Sequence, residues 1–500
     1  MFSGISFGLE ALGWISTIFI FVVGLFILFL IGVYIADVTQ TKQAIRRNYP
    51  VIGHLRYYFE HIGTFFRQYF FTMDREEMPF NRAQRSWVYR AAKDIDNTVS
   101  FGSTRDIKPS GTILFVNTAF PKLGKDAVDC KPVTIGEGSA EKPFTANSFF
   151  NISGMSYGAI SKPAVQALSF GAKKANAWMN TGEGGLSPYH LEGGADIVFQ
   201  IGTAKYGVRD KNGNLSDEKL REIAAHENVR MFEIKISQGA KPGKGGILPA
   251  AKVNQQIAEI RGIERGADSI SPNRHPEIAN NDDLIDMINH IREVTGKPVG
   301  FKAVIGDRRW MGEFLAAVNK RGKQTAPDFI TIDSADGGTG AAPMSLMDYV
   351  GMPINESLPR VIDKISEAGL RDRIKVIASG KLINPAEVAW ALCVGADFVT
   401  SARGFMFSLG CIQALQCHKN TCPTGITTHD KKLQRGLVAE QKSTRVANYI
   451  KNIRYEVGII AHSCGVQHPR QLSRQHARIV QQNGTSSLLA DIYPDKMPHD

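Results

Sequence analysis

The sequence predicts an α/β fold, a (β/α)8 TIM barrel with an N-terminal transmembrane helix and a helical extension, and three observations predict it. Short apolar runs recur along the chain, each closing on Gly, Ser, Asp or Lys. Helix-like segments separate most of them, the pattern of parallel βαβ units. The runs number eight and no G-x-G-x-x-G follows the first, which favours a closed barrel over a doubly wound sheet. The predicted strands are FFNISG (149–154), AWMNTG (177–182), VRMFEIKIS (229–237), DSISP (268–272), PVGFKAVI (298–305), DFITIDSA (328–335), IKVIASG (374–380) and DFVTSARG (397–404). Segments 163–175, 282–294 and 385–394 read as helices between them.

Ahead of the barrel, residues 11–36 run ALGWISTIFIFVVGLFILFLIGVYIA without a charge. A bilayer core needs about 20 helical residues, so this stretch is long enough to span. A cleaved signal peptide is the competing reading. It calls for a basic start and an apolar core of about 7–15 residues, whereas Glu10 and no Lys or Arg precedes this longer run. The expectation is a single-pass anchor. Lys42, Arg46 and Arg47 follow it, and the positive-inside rule then places the body in the cytoplasm. Residues 51–71 are strongly aromatic, but Arg56, Glu60 and Arg67 argue against a second span. An amphipathic helix at the membrane interface and a helix packed on the main domain both remain open. The domain plan is an anchor at 1–40, a helical linker at 41–95, the barrel with its cysteine loop at 96–470 and a tail at 471–500.

Composition narrows the function classes. With 43% hydrophobic and 21% charged residues over 500, the chain is globular rather than disordered. Six cysteines exclude a disulfide scaffold. The 48 glycines favour tight turns and close backbone approach to a ligand. The net charge of +11 includes no long Lys/Arg block, which suits anionic substrates, cofactor phosphates or an anionic membrane. No zinc finger, RRM signature or basic-aromatic array is present, so no nucleic-acid partner is expected.

Chemistry concentrates where predicted strands end. Ser379-Gly380-Lys381 and Ala402-Arg403-Gly404 close strands seven and eight, where a barrel commonly builds a phosphate site from backbone N–H groups and a cation. Lys235 ends the run FEIKI and Lys302 lies inside a strand, so burying either asks for an anionic partner. Cys411, Cys417 and Cys422 form a C-x5-C-x4-C-P run. Three closely spaced thiolates suit an iron–sulfur cluster, and structural zinc with His418 as a fourth ligand is the competing reading. Cys130, Cys393 and Cys464 read as ordinary residues.

Over roughly residues 95–470 the chain resembles the FMN-binding synthase domain of glutamate synthases, in their compact, membrane-anchored branch. The motifs are ISGMSYGAIS (152–161), NTGEGG (180–185), EIKISQGAKPGKGGILP (233–249), DGGTGAAP (336–343), ASGKL (378–382), GADFVTSARG (395–404) and CHKNTCPTG (417–425). The resemblance implies FMN and a [3Fe-4S] cluster held by Cys411, Cys417 and Cys422. It implies flavin contacts from Met155, Ser156 and Gly158, Lys302 near the electron-rich flavin edge, and a flavin-proximal turn at Asp336, Gly337, Gly338 and Thr339. Ser379, Gly380, Lys381, Arg403 and Gly404 would take the FMN phosphate. Lys235, Gln238 and Lys241 match a 2-oxoglutarate site, and Glu183 an acid near the catalytic centre. The implied reaction is reductive amination of 2-oxoglutarate, or a similar 2-oxo acid, by ammonia or an amine, with electrons from ferredoxin or a separate reductase. N-methylglutamate formation and membrane-tethered electron transfer are the alternatives.

Several features depart from the larger family members. Met1-Phe2 and a membrane span stand in place of a glutaminase domain, and the residues after Pro469 are too few for a β-helix. Lys244 occupies a position where Glu is common. Ser271-Pro-Asn-Arg-His-Pro276 follows the predicted fourth strand, where Arg274 could admit another acidic substrate.

Overall fold

The computed structural model describes residues 2–495. It divides into two compact units, the first ending at Ala83 and the second beginning at Gln84. The first unit opens with the helix Phe2–Thr39. Its stretch Glu10–Thr39 is long and apolar enough to cross a membrane, and none of its most apolar window is buried. Being apolar on all sides, it has no face turned toward a protein core. The chain then turns back. Asp37, 4% exposed, accepts from the Val51 N–H at 2.9 Å, and its carboxylate meets His54 Nε2 at 2.9 Å. This clamp seats the start of the helix Gly53–Phe66.

The second unit is built on a closed barrel of eight parallel strands. They are β1 (Phe150–Ile152), β2 (Trp178–Asn180), β3 (Asp196–Ile201), β4 (Val229–Lys235), β5 (Val299–Val304), β6 (Phe329–Asp333), β7 (Lys375–Ser379) and β8 (Phe398–Ser401). The strands pair in chain order, and β8 closes on β1 through Ser401 opposite Ile152. Predicted helices at 163–175, 282–294 and 385–394 appear as Lys162–Lys174, Asn281–Thr295 and Pro385–Val394.

Two strand assignments require correction. The run DSISP is not a barrel strand: Ser269–Ile270 pairs antiparallel with Ile247–Leu248, outside the barrel. The third barrel strand is instead DIVFQI, Asp196–Ile201. It was obscured because only the four-residue helix Pro188–Leu191 separates it from β2, so the strand–helix alternation fails there. The segment assigned to a C-terminal tail contributes Ala477–Val480 and Ser486–Leu488, which join Ile113–Phe115 in a three-stranded sheet.

The barrel interior changes character along its axis. At the amino ends of the strands, Trp178, Val198, Met231, Phe329, Ile377 and Phe398 pack with Ile135, Phe144 and Ala146. The last three belong to the hairpin Val133–Ile135/Phe144–Ala146, which corks this end. Above this plug lies a polar layer. Glu233, 3% exposed, accepts from Asn180 Nδ2 (2.8 Å) and Gln200 Nε2 (2.7 Å) on one oxygen and from Thr331 Oγ1 (2.6 Å) on the other. Every acceptor oxygen of this buried carboxylate therefore has a donor, the condition for tolerating it inside a core.

Close strand packing makes one glycine indispensable. A Cβ on Gly300 would run into the Phe329 carbonyl and come within 2.6 Å of its ring. Gly300→Ala is expected to cost about 3 kcal/mol, seen as a lowered unfolding midpoint. Gly312→Ala, on the helix Trp310–Arg321 with its nearest neighbour 3.8 Å away, is expected to raise stability by up to about 1 kcal/mol.

Candidate active site at the carboxyl end of the barrel

The carboxyl ends of the strands surround a solvent-open cavity. Its walls come from the turn after β1 (Ser153, Gly154), Gln200 on β3, Lys235 and Gln238 from β4 and its turn, and Lys302 on β5. Asp333 and Gly338 close one side. Ser379, Gly380, Lys381, Ser401, Ala402 and Arg403 close the other.

Buried ion pairs set the electrostatics. Lys235 Nζ lies 2.7 Å from Glu183 Oε1, both side chains largely buried. Burial works against the charge on Glu183, but Lys235, with Lys241 and Arg261 adding to it, outweighs burial and holds the carboxyl below its ordinary range. Glu183 is gripped between glycines: a Cβ on Gly202 would come within 2.7 Å of its Oε2, and one on Gly246 would strike its Oε1. Gly202, directly after β3, and Gly246, in the GKGG string, thus leave room for this carboxylate. On β5, Lys302 Nζ is 3.1 Å from Asp333 Oδ2, which also accepts from the Gly239 N–H at 2.9 Å. Burial opposes the Lys302 charge, yet Asp333 and Glu233 prevail and raise its pKa.

Lys241, 5% exposed, behaves differently. Burial, then repulsion from Lys235, brings its pKa down to about 8, with Glu183 pulling the other way. A lysine charged below pH 8 and neutral above it makes anion binding pH-dependent. For an anion held by Lys241, KM is expected to rise by roughly tenfold per pH unit above about 8, the onset moving up once the anion is bound. Lys241→Arg removes this dependence in a KM profile taken from pH 6.5 to 9.5, those limits set roughly by the lysine's own range.

Gln238 is positioned through Nε2, which donates to the Gly338 carbonyl at 2.9 Å. Arg403 donates to the Asp336 carbonyl at 2.8 Å and Lys381 Nζ pairs with Asp336 Oδ2 at 2.9 Å. Asp336 also receives the Ser334 hydroxyl. Burial opposes its charge, but Ser334, Lys381 and Arg403 together hold its carboxyl below the ordinary range. Gly380 sits at φ +104°, where a Cβ would collide with Ser334.

Among the sequence-predicted residues, Lys235, Gln238, Lys302, Gly338, Ser379, Gly380, Lys381 and Arg403 line the cavity. Glu183 and Lys241 lie beside Lys235, outside that lining. Asp336 braces Lys381 and Arg403, with Gly337 and Thr339 in the same turn. A Cβ on Gly404 would strike the Tyr449 hydroxyl, so that glycine serves helix packing. Met155, Ser156 and Gly158 lie in the loop after β1, beside rather than within the lining; Met155 and Ser156 pack under Gly182. Arg274 does not reach the site. Its guanidinium caps the carbonyls of its own loop at His275, Pro276 and Ile278.

Sequence reading missed Ser153, Gln200, Asp333 and Ser401. Gln200 and Asp333 carried a signal, Gln200 as the lone polar residue inside the apolar run IVFQI and Asp333 as a charged residue closing the run FITID. His275 was also missed. It is buried with Nε2 3.1 Å from the Lys235 carbonyl, and burial brings its pKa down to about 4, so it stays neutral while fixing the backbone of Lys235.

The cysteine run lies in the loop after the helix Arg403–Leu409. Burial pushes the Cys411 thiol up to about 12, and the Cys417 and Cys422 thiols add to that shift. Among the described residues no three His, Cys, Asp or Glu side chains converge as a ligand set for one ion. The loop is tied to the turn after β1 at three points. Lys252 Nζ donates to the carbonyls of Ala159 (2.8 Å) and Cys417 (3.2 Å), His429 Nε2 lies 2.9 Å from the Gly158 carbonyl, and the Ser161 N–H donates to Ile426 at 2.8 Å.

A closed parallel barrel with a cation-rich cavity over the carboxyl ends of its strands has the build of a barrel that takes an anionic ligand there. The chain belongs to the glutamate synthase family: the model described as "Conserved region in glutamate synthase" matches residues 113–467. It is 40% identical over 491 residues to the glutamate synthase large subunit-like protein YerD of Bacillus subtilis, covering 91% of this chain and 93% of that one. It is 35% identical over 314 residues to an archaeal-type glutamate synthase (NADPH) of Thermotoga maritima, covering 62% of this chain but only 58% of that relative's length. A similar barrel, at 14% identity and a TM-score of 0.46, is the flavin-binding domain of baker's yeast flavocytochrome b2, over 83% of this chain and 86% of that one.

Proposed function

We propose that this chain is an FMN- and iron–sulfur-dependent glutamate synthase-like oxidoreductase that reductively aminates 2-oxoglutarate, or a 2-oxo dicarboxylate like it, at the mouth of the barrel. The observation that carries the reading is the Lys235–Glu183 pair at 2.7 Å with buried Lys241 beside it, next to the cavity that Lys302 and Arg403 line. A dicarboxylate needs two separated cations, and a buried lysine pair offers that where a surface pair would not.

The donor set fits the cofactors. Lys381, Arg403 and the Ser379 and Ser401 hydroxyls suit a phosphate at one end of the cavity, and Lys302 suits an electron-rich ring at the other. Three thiols on one tethered loop suit a cluster in which each iron takes its own thiolate. When bound, FMN supplies hydride chemistry and the cluster supplies single electrons. The chain's own residues do the rest. Lys235 and Lys241 hold the carboxylates, and Gln238, fixed on the Gly338 carbonyl, orients the keto or imino group. Glu183 positions Lys235 through the 2.7 Å contact to its Nζ and assists proton transfer or positioning at the reacting centre. Lys302 offsets negative charge that develops beside it. Ammonia or an amine is the nitrogen source, and ferredoxin or a separate reductase the electron source. Glu10–Thr39 anchors the chain as a single-pass span, with the barrel in the cytoplasm beyond Lys42, Arg46 and Arg47.

The test is anaerobic turnover of 2-oxoglutarate by the dithionite-reduced protein with ammonia, glutamine or methylamine, alongside identification of the released flavin. Glutamate from ammonia and FMN in the supernatant are expected. A flavin spectrum that no 2-oxo acid perturbs overturns the synthase reading.

A further inference from the structure

We infer that the helix Gly53–Phe66, with the π-helical turn Arg67–Phe71 after it, lies flat on an anionic phospholipid surface as a second membrane contact. The inference rests on Glu10–Thr39 being a span, and it goes beyond that reading by assigning a lipid-binding face to a separate element.

The residues of this helix sort by face. Leu55, Tyr58, Phe59, Ile62, Phe65, Phe66, Tyr69 and Phe70 recur at three- and four-residue spacing and so share one side, while Arg56, Glu60, Thr64 and Arg67 fall on the other. The apolar side is bare: Phe59 is 60% exposed, Phe66 47% and Phe70 75%. The opposite side is partly engaged. His54 meets Asp37 at 2.9 Å, and the Arg46 guanidinium sits 5.0 Å over the Tyr57 ring. A row of exposed phenylalanines is costly in water, whereas the same row sinks about 5–10 Å into the headgroup boundary when a helix lies on a bilayer.

Continuity and charge select lipid as the occupant. The chain between Thr39 and Gly53 carries the short helix Ala44–Asn48 and folds back, and the Asp37 clamp fixes the start of the helix Gly53–Phe66 to the end of the apolar one. A bilayer crossed by Glu10–Thr39 therefore has its surface at this level. Lys42, Arg46, Arg47, Arg56 and Arg67 against Glu60 give the segment excess positive charge, the complement of an anionic leaflet. Tyr58 and Tyr69 are amphipathic rings of the kind enriched at membrane interfaces.

The experiment uses the full-length protein in vesicles of phosphatidylglycerol and phosphatidylcholine, with a benzophenone amino acid installed singly in place of Val22, Phe59, Thr64 or Phe70. On irradiation, the Val22, Phe59 and Phe70 positions are expected to crosslink to lipid and the Thr64 position is not. Crosslinking at Phe59 and Phe70 is expected to fall in pure phosphatidylcholine while that at Val22 holds. If Val22 crosslinks to lipid but Phe59 and Phe70 crosslink to protein, the face covers a second copy or another part of the chain, and the inference is overturned. If Val22 itself fails to reach lipid, the span reading falls and this inference falls with it.

Discussion

Lys235→Met is expected to abolish 2-oxo acid binding and, at the same time, to destabilise the barrel. The two losses have different causes and can be separated. Lys235 neutralises Glu183, whose oxygens are walled in by Gly202 and Gly246. Removing the ammonium leaves a buried carboxylate without its nearest cation, a change worth about 3 to 5 kcal/mol. The same ammonium is proposed to hold a substrate carboxylate, and losing a buried charge pair of that kind costs about 4 kcal/mol, roughly a thousandfold in kcat/KM. Glu183→Gln added to Lys235→Met removes the orphaned charge. The double variant is therefore expected to regain most of the lost stability in a denaturant melt while its 2-oxoglutarate turnover stays down. Turnover returning with stability would mean that Lys235 acts only as the counter-charge of Glu183, and the substrate role would be wrong. His275 sharpens the test, because it fixes the Lys235 backbone through the carbonyl and keeps the strand end in place when the side chain is shortened.

Much of this arrangement was legible in the sequence because burying a charge leaves a mark. A lysine at the end of FEIKI or inside VGFKAV breaks an apolar run, and the structure shows each seated on a carboxylate, Glu183 and Asp333. The turns closing the last two strands were legible from the small residues and cations there, and both line the cavity. The third strand was not, since the alternation that marks a barrel depends on a full helix between strands and here the chain supplies four helical residues. Missing it cost Gln200, which lines the cavity and donates to Glu233. DSISP misled in the opposite direction. Two-residue strands carry no period, so a pair as short as Ser269–Ile270 cannot be told from a barrel strand until its partner Ile247–Leu248 is seen. Arg274 looked available because pattern says nothing of where a long side chain turns, and it turns onto its own loop.

Cys417→Ser is expected to strip iron from the protein while leaving the FMN content intact. The proposed cluster has three thiol ligands and no spare, so loss of one leaves an iron without its protein bond. The loop itself does not depend on the thiol. Lys252 reaches the Cys417 backbone carbonyl, Asn420 Oδ1 accepts from the His429 N–H at 2.7 Å, and Thr428 Oγ1 donates to the Asn420 carbonyl at 2.6 Å. Those bonds survive the substitution, so the turn after β1, held to the loop through Ala159, Gly158 and Ser161, keeps its place beside the cavity. Iron and acid-labile sulfide are expected to fall to background with flavin stoichiometry unchanged. Dithionite, which reduces a flavin directly, is expected still to support turnover, whereas a protein electron donor is not. Stoichiometric zinc in the unsubstituted protein, or iron unaffected by the substitution, would remove the cluster from the reading and leave the barrel to draw its electrons by another route.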